Sequence, residues 1–212
     1  MKIEDLKLSK EYFIGVEEGR RHHASNKTYS GKLLRPHKPF LTEMVERLGA
    51  QSALDYGAGK GDQWTWVDPA DGKTIEQVWG FPVAKYDPCW PPFAAEPEGT
   101  YDLVICTHTL ALIPVVDLPK IMARLYAFAN KGVFIAEKIG ERKKGEVADP
   151  KKRAINWTAR DWLGWVGGLA IGRPKIETVL STREQTARGV ITTRHIWRDG
   201  QYLGAQEAAP RG

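Results

Sequence analysis

Cysteine is scarce in this chain: two residues, Cys89 and Cys106, among 212. Two thiols exclude a disulfide framework and a four-cysteine zinc site, and they point to a reducing, cytoplasmic compartment. Histidine is thin as well. His22, His23, His37, His108 and His195 stand without acid or cysteine partners at ligand spacing, so no metal is expected. No apolar run approaches about 18 residues, so neither a spanning helix nor a membrane partner is expected. Met1–Asp5 carries acid and no apolar h-region, so a secretory signal is not expected. Charge of a single sign is lacking too. The 31 Lys and Arg stand against 26 Asp and Glu, and a net +5 permits an anionic partner without demanding one.

What is present suffices for a buried core. Hydrophobic residues make up 42% of the chain, which excludes wholesale disorder, and the length fits one domain. Residues 1–35 are polar and basic, and Gly15, Gly19 and Gly31 are expected to interrupt any long helix there. From Pro36 to Gly49, Phe40, Leu41, Met44, Val45 and Leu48 share one helical face between an N-terminal proline and a C-terminal glycine. Strands are expected at 52–56, 83–86, 101–106 and 133–136. Asp117 is expected to cap a helix that closes near Gly132. The segment 64–82 reads as neither element. Thr158 opens another helix, and strands follow at 175–180 and 190–197. Asp199-Gly200 signals a hairpin into 201–204. Alternation followed by helix-free strands predicts an α/β, Rossmann-like open sheet. It should be mostly parallel, with helices on both faces and an antiparallel C-terminal edge. The organisation expected is a lid or substrate-side extension over 1–35, one domain over 36–204 and a frayed tail over 205–212.

The strongest local signal is Asp55-Tyr56-Gly57-Ala58-Gly59-Lys60-Gly61, which follows a strand. A dinucleotide fingerprint wants its third glycine at position 62, where Asp62 stands instead. No Gly-Lys-Ser/Thr follows, which excludes a P-loop. A pyrophosphate seeks the partial positive charge of a bare helix N-terminus. Asp55 and Asp62 oppose that demand. S-adenosylmethionine carries an ammonium, a sulfonium and no phosphate, so acids beside the turn favour it over NAD. Asp55, Gly57, Ala58, Gly59, Gly61 and Gln63 are the candidate cofactor contacts here.

Asp87 ends the second strand candidate. An acid there can accept both ribose hydroxyls. The span from Asp87 to Asp102 leaves little room for another strand with its helix, so either that unit is reduced or Asp87 sits near the adenine. Pro88 and Trp90 follow it, and Trp90 and Phe93 suit either an adenine wall or plain core packing. Thr107 and His108 lie where an open α/β sheet places its chemistry. His108 is the first candidate for a general base on a hydroxyl or amine; a loop histidine bonded to backbone or touching cofactor fits equally.

These residues together resemble the class I S-adenosylmethionine-dependent methyltransferases. Within them the chain is most similar to a small bacterial and phage-type subfamily with an L-D-Y-G-x-G-K-G turn, a Y-D-P strand end and F-D-x-V-I-C-T-D-V-L-E-H-I-P. This chain has Leu54–Gly61, Tyr86-Asp87-Pro88 and Tyr101–Pro114 in those places. His23, Lys27, Tyr29 and Gly31 are similar to the subfamily's lead-in, and the resemblance spans residues 20–170. It implies a Rossmann-like sheet, S-adenosyl-L-methionine as cofactor, and methyl transfer. Where the pattern reads T-D-V-L-E-H, this chain reads Thr107-His108-Thr109-Leu110-Ala111-Leu112, so the acceptor is not carried over.

Methyl transfer is an in-line displacement that mainly needs alignment. Besides His108, Tyr29 and His23 in the N-terminal segment are candidate bases. A basic stretch, Lys138, Arg142, Lys143, Lys144, Lys151, Lys152 and Arg153, suits a phosphate backbone. Glu137, Glu141, Glu146 and Asp149 interleave with it, as on a solvated loop. Three readings stand: methyl transfer to a small molecule or glycan, methyl transfer to nucleic acid, and cofactor binding without catalysis. The oligomeric state is not legible.

Overall fold

The computed structural model describes residues 7–25, 32–139, 157–186 and 189–207. In the first half, helix α1 (Lys10–Ser25) leads to α2 (Lys38–Leu48), strand β1 (Ala53–Tyr56), short helices α3 (Asp62–Thr65) and α4 (Ile75–Trp79), and β2 (Val83–Tyr86). In the second half come β3 (Tyr101–Thr107), α5 (Leu118–Phe128), β4 (Ala129–Lys138), α6 (Ala159–Ile171), β5 (Glu177–Thr186), β6 (Gly189–Arg198) and β7 (Gln201–Glu207). The seven strands form one sheet in the order β2-β1-β3-β4-β5-β6-β7. The pairs from β2 to β5 are parallel, while β5–β6 and β6–β7 are antiparallel. This is the expected Rossmann-like sheet with its antiparallel edge. Asp199 and Gly200 both take positive φ, as a two-residue hairpin turn between twisted strands requires.

Each sheet face carries its own core. One buries Leu54, Tyr56, Val104 and Cys106 under α1, α5 and α6. The other buries Ala53, Leu103, Ile105 and Phe134 under α2, α3 and α4. Alternate residues of β1 and β3 serve opposite faces, the period-two pattern of a strand covered twice. The tract 64–82 gave no periodicity because its helices are a turn or so long. A Thr74 capping box starts α4, and buried Trp64 and Trp79 pin α3 and α4 together edge to face.

Four local expectations are corrected. Gly15 and Gly19 do not break a helix; α1 runs through both. A helical glycine costs roughly 1 kcal/mol against alanine. At Gly19 a Cβ would stand 2.5 Å from Cys89 Sγ, so the glycine lets α1 lie close to the chain after β2. Asp117 does not cap α5 with its side chain. Its buried carboxylate instead accepts the Ser9 amide at 2.9 Å and the Ser9 hydroxyl, just ahead of α1. Gly132 lies inside β4, because α5 passes straight into that strand. A Cβ there would meet Leu48 and Met44 of α2. At the C-terminus, residues 205–207 extend β7, and 208–212 lie outside the described residues.

The connection from β2 to β3 holds only a 3-10 turn at Pro91–Phe93. A full crossover helix is therefore missing from one face beside β1 and β2. There α1 lays Tyr12 and Val16 against Tyr56 and Tyr86 and fills the gap.

Asp117→Ala strands the Ser9 amide and hydroxyl and releases the start of α1. The expected loss is about 1–3 kcal/mol of unfolding free energy in urea, the penalty of unmet buried donors. An unchanged midpoint would show that α1 docks without this tether.

Candidate functional site

The carboxyl ends of β1, β2 and β3 open into a cleft of about 160 Å³ roofed by α1. The turn after β1 is built for tightness. Gly57, Gly59 and Gly61 all take positive φ. The Gly57 and Ala58 amides both donate to the Tyr86 carbonyl, at 2.7 and 3.1 Å, which binds the turn to β2. A Cβ on Gly57 would stand 2.1 Å from Thr109 Oγ1, so only glycine lets the β3 corner close on the turn. Asp87 is the clamp. Its Oδ2 accepts the Gly59 amide and its Oδ1 the Cys89 amide, each at 2.8 Å. Each oxygen keeps a lone pair for a ligand.

Asp55 has a different place. Its Oδ2 accepts Gln63 Nε2 at 2.6 Å and Trp64 Nε1 at 2.8 Å, which staples α3 back onto β1. Burial pushes its carboxyl up to about 6, against the pull of the Trp64 and Gln63 hydrogen bonds. Neither Asp55 nor Gln63 lines the cleft; both lie buried beneath the turn. Ala58 and Gly61 are likewise structural parts of the turn. Gly57, Gly59, Asp87, Pro88 and Thr107 do line the cleft, together with His23. Trp90 packs beside His23, ring centroids 5.6 Å apart, and Lys60 Nζ lies 5.3 Å from the Trp90 ring centroid.

His108 is not brought into the cleft. Its backbone takes a positive φ, and its amide donates to Ala136 O at 2.7 Å. Burial, then the charges of Arg183 and Lys138, push its imidazole down to about 4. It is neutral at pH 7 and a poor base. Tyr29 lies outside the described residues, as does the basic stretch beyond Lys138. His23 is the candidate base that reaches the cleft. Burial holds it below its ordinary value, opposed by Asp87.

Sequence reasoning missed the cleft wall supplied by α1. Glu11, Gly15, Glu18 and His22 form one row along the helix, at the three- and four-residue spacing that makes a face. That spacing was visible in the sequence but masked by reading the glycines as breakers. Among the described residues three carboxylates, Glu11, Glu18 and Asp87, line the cleft, and no Lys or Arg does. Tyr56, next to the glycines, also reaches it; its buried hydroxyl has no hydrogen-bond partner. Glu137 was missed as well. It is fully buried at the end of β4, where its Oε1 accepts the Leu110 amide at 2.8 Å and so supports the corner after β3. Burial pushes it up to about 8, opposed by hydrogen bonds from backbone amides of that corner. Among the described residues no three His, Cys, Asp or Glu side chains are grouped to hold a metal ion, and no helix is long and apolar enough to cross a membrane.

A family model described as a methyltransferase domain matches residues 26–166, more than half of the chain. The match takes in the glycine turn and the ends of β1 to β3, and leaves α1 outside. Comparison with curated protein sequences returned no match. A solved structure from Klebsiella pneumoniae, described provisionally as an O-methyltransferase, is similar at 13% identity. The similarity covers 92% of this chain and 93% of that one, with a TM-score of 0.38. A likeness of that size bears no weight on chemistry.

Glu137 has a proton-linked consequence. Its folded pKa lies above its ordinary value near 4.5, so its contribution to stability is full below about 4.5 and is lost as pH rises through about 8. Glu137→Gln keeps an acceptor for the Leu110 amide but cannot ionise. Urea titrations from pH 5 to 9 are expected to show a flatter stability profile for the variant, with its advantage growing toward pH 9. Parallel profiles would place the carboxylate in contact with water.

Proposed function

The chain belongs to the methyltransferase-domain family and is an S-adenosylmethionine-dependent methyltransferase, and from that premise we propose that its acceptor is a small uncharged or amine-bearing molecule, a glycan included. The observation that carries this is the cleft lining: among the described residues it holds three carboxylates, two imidazoles and no Lys or Arg. Such a lining attracts an ammonium and a sulfonium and repels a phosphate.

The residues present fit S-adenosylmethionine. Gly57 and Gly59 offer bare backbone, Asp87 retains acceptor capacity for ribose hydroxyls, and Thr107, Pro88 and His23 complete the wall. When bound, the cofactor supplies a methyl on a sulfonium already activated for displacement. The protein's own task is alignment, which reaches about 7–11 kcal/mol of a barrier in favourable cases. The apolar wall of Val16, Leu112, Ile113 and Pro114 excludes water from the nucleophile. His23 takes the acceptor proton in this reading, because a neutral imidazole stands ready at pH 7. The turn Leu54–Gly61 supports membership of the bacterial and phage-type subfamily. The segment 1–35 acts as a lid, with α1 as the part that covers the cleft.

Two measurements test the reading. Calorimetry is expected to show binding of S-adenosylmethionine and its demethylated product but not of NAD, and loss of both with Gly57→Val; tight NAD binding would overturn it. For the base, His23→Asn should lower kcat by about 10²–10⁴ and remove the acid limb of the pH–rate profile. A retained limb assigns the proton to another group.

A further inference from the structure

A second cleft lies on the other flank of α1, between that helix, residues 94–99 and α5. Its volume is about 920 Å³. It shares Tyr12, Val16 and Pro88 with the first cleft but has the opposite electrostatics. Among the described residues Lys7, Arg20 and Arg124 line it against one carboxylate, Glu96. Four rings, Tyr12, Phe13, Tyr86 and Phe128, supply flat apolar wall.

Arg124 is the unusual member. It is 9% exposed, yet its Nε has no hydrogen-bond partner. Among the described residues its ion pair runs from Nη2 to Glu96 Oε2, and Glu96 is itself 57% exposed at the side chain and also accepts the Tyr86 hydroxyl at 2.9 Å. A guanidinium presents parallel N–H donors in a fixed fork, and a planar carboxylate satisfies two at once. A buried donor left unmet costs about 1–3 kcal/mol, and Arg124 lines the cleft while its buried Nε–H stays unmet, so the pair with Glu96 leaves donor capacity that a carboxylate displacing Glu96 takes up. The partial neutralisation by Glu96 leaves Arg124 held in place while that exposed acid remains displaceable. Arg20 is partly engaged, donating to Pro88 O at 3.2 Å and pairing with Glu17, so it adds field more than a dedicated bond.

We propose that this second cleft binds a small aromatic carboxylate, its ring among the four aromatic side chains and its carboxylate on Arg124. Aromatic walls favour a planar ring over a bare inorganic anion. The cleft is distinct from the methyl-transfer site, and its test needs no cofactor, so its failure leaves the methyl-transfer reading standing.

The test is titration of the full chain with benzoate, benzamide and inorganic phosphate, followed by calorimetry. Benzoate is expected to bind at least about tenfold more tightly than benzamide or phosphate. Arg124→Gln should erase the preference for benzoate over benzamide. Because that residue is buried, the exposed Glu96→Gln provides the decisive second variant. Removing the competing carboxylate should tighten benzoate by about tenfold, whereas a merely structural Arg124–Glu96 pair predicts no gain. Equal binding of benzoate and benzamide, no benzoate binding, or Glu96→Gln leaving benzoate unchanged or weaker would each overturn the proposal. Phosphate binding as tightly as benzoate would overturn the aromatic assignment.

Discussion

The short connection between β2 and β3 is the constraint from which the rest of the architecture follows. Residues 87–100 hold a single 3-10 turn, so the sheet face over Tyr56 and Tyr86 receives no helix from its own crossover. Leaving two tyrosines and the end of β1 in water would forfeit burial worth roughly 25 cal/mol per Å². The N-terminal helix takes that place. Its glycine at 19 permits close approach to Cys89, and Asp117 secures its start through Ser9. One helix thus performs two tasks, covering apolar surface and roofing the carboxyl ends of the strands where open α/β sheets bind their ligands.

The same placement separates charge. On one flank of α1, Glu11 and Glu18 join Asp87; on the other, Arg20 and Lys7 join Arg124. A pair of unit charges about 4 Å apart near a protein surface interacts by up to about 4 kcal/mol, enough to choose between a cation and a phosphate. Composition alone would not reveal this. A net charge of +5 averages over a cleft that is acidic and a neighbour that is basic. A basic protein therefore need not take an anionic substrate.

The strands were legible because each is a short apolar run bounded by turn residues. Val83–Tyr86 stops at Asp87-Pro88, and Leu103–Cys106 is continuously apolar as double burial demands. The glycine turn was legible because positive φ at three positions admits little else. The site was read less well, for physical reasons. Asp55 and His108 are near the turn in sequence, yet a strand sends successive side chains to opposite faces. Asp55 therefore faces α3, and the left-handed backbone at His108 carries its ring toward Arg183 and Lys138. The opposing wall comes from residues more than thirty positions earlier, beyond the reach of any local pattern. Asp117 shows the same limit: an N-terminal acid reads as a cap, but tertiary demand from Ser9 took its carboxylate.

Two buried acids show what positioning demands of stability. Asp55 and Glu137 each satisfy one oxygen and leave the other, Oδ1 or Oε2, without a partner. An apolar residue at either place would remove that penalty. It would also leave unmet the Trp64 and Gln63 donors below the glycine turn, or the Leu110 amide at the corner after β3. Those two corners carry Gly57 and Thr109, which close on each other within the cleft. Burial raises both carboxyls, so Glu137 is largely neutral at pH 7 and adds no full charge beside the cleft. The acids that give the cleft its sign are therefore Asp87, whose oxygens are held by amides, and the two on α1. Asp87 serves both sign and shape, whereas Asp55 and Glu137 serve shape alone.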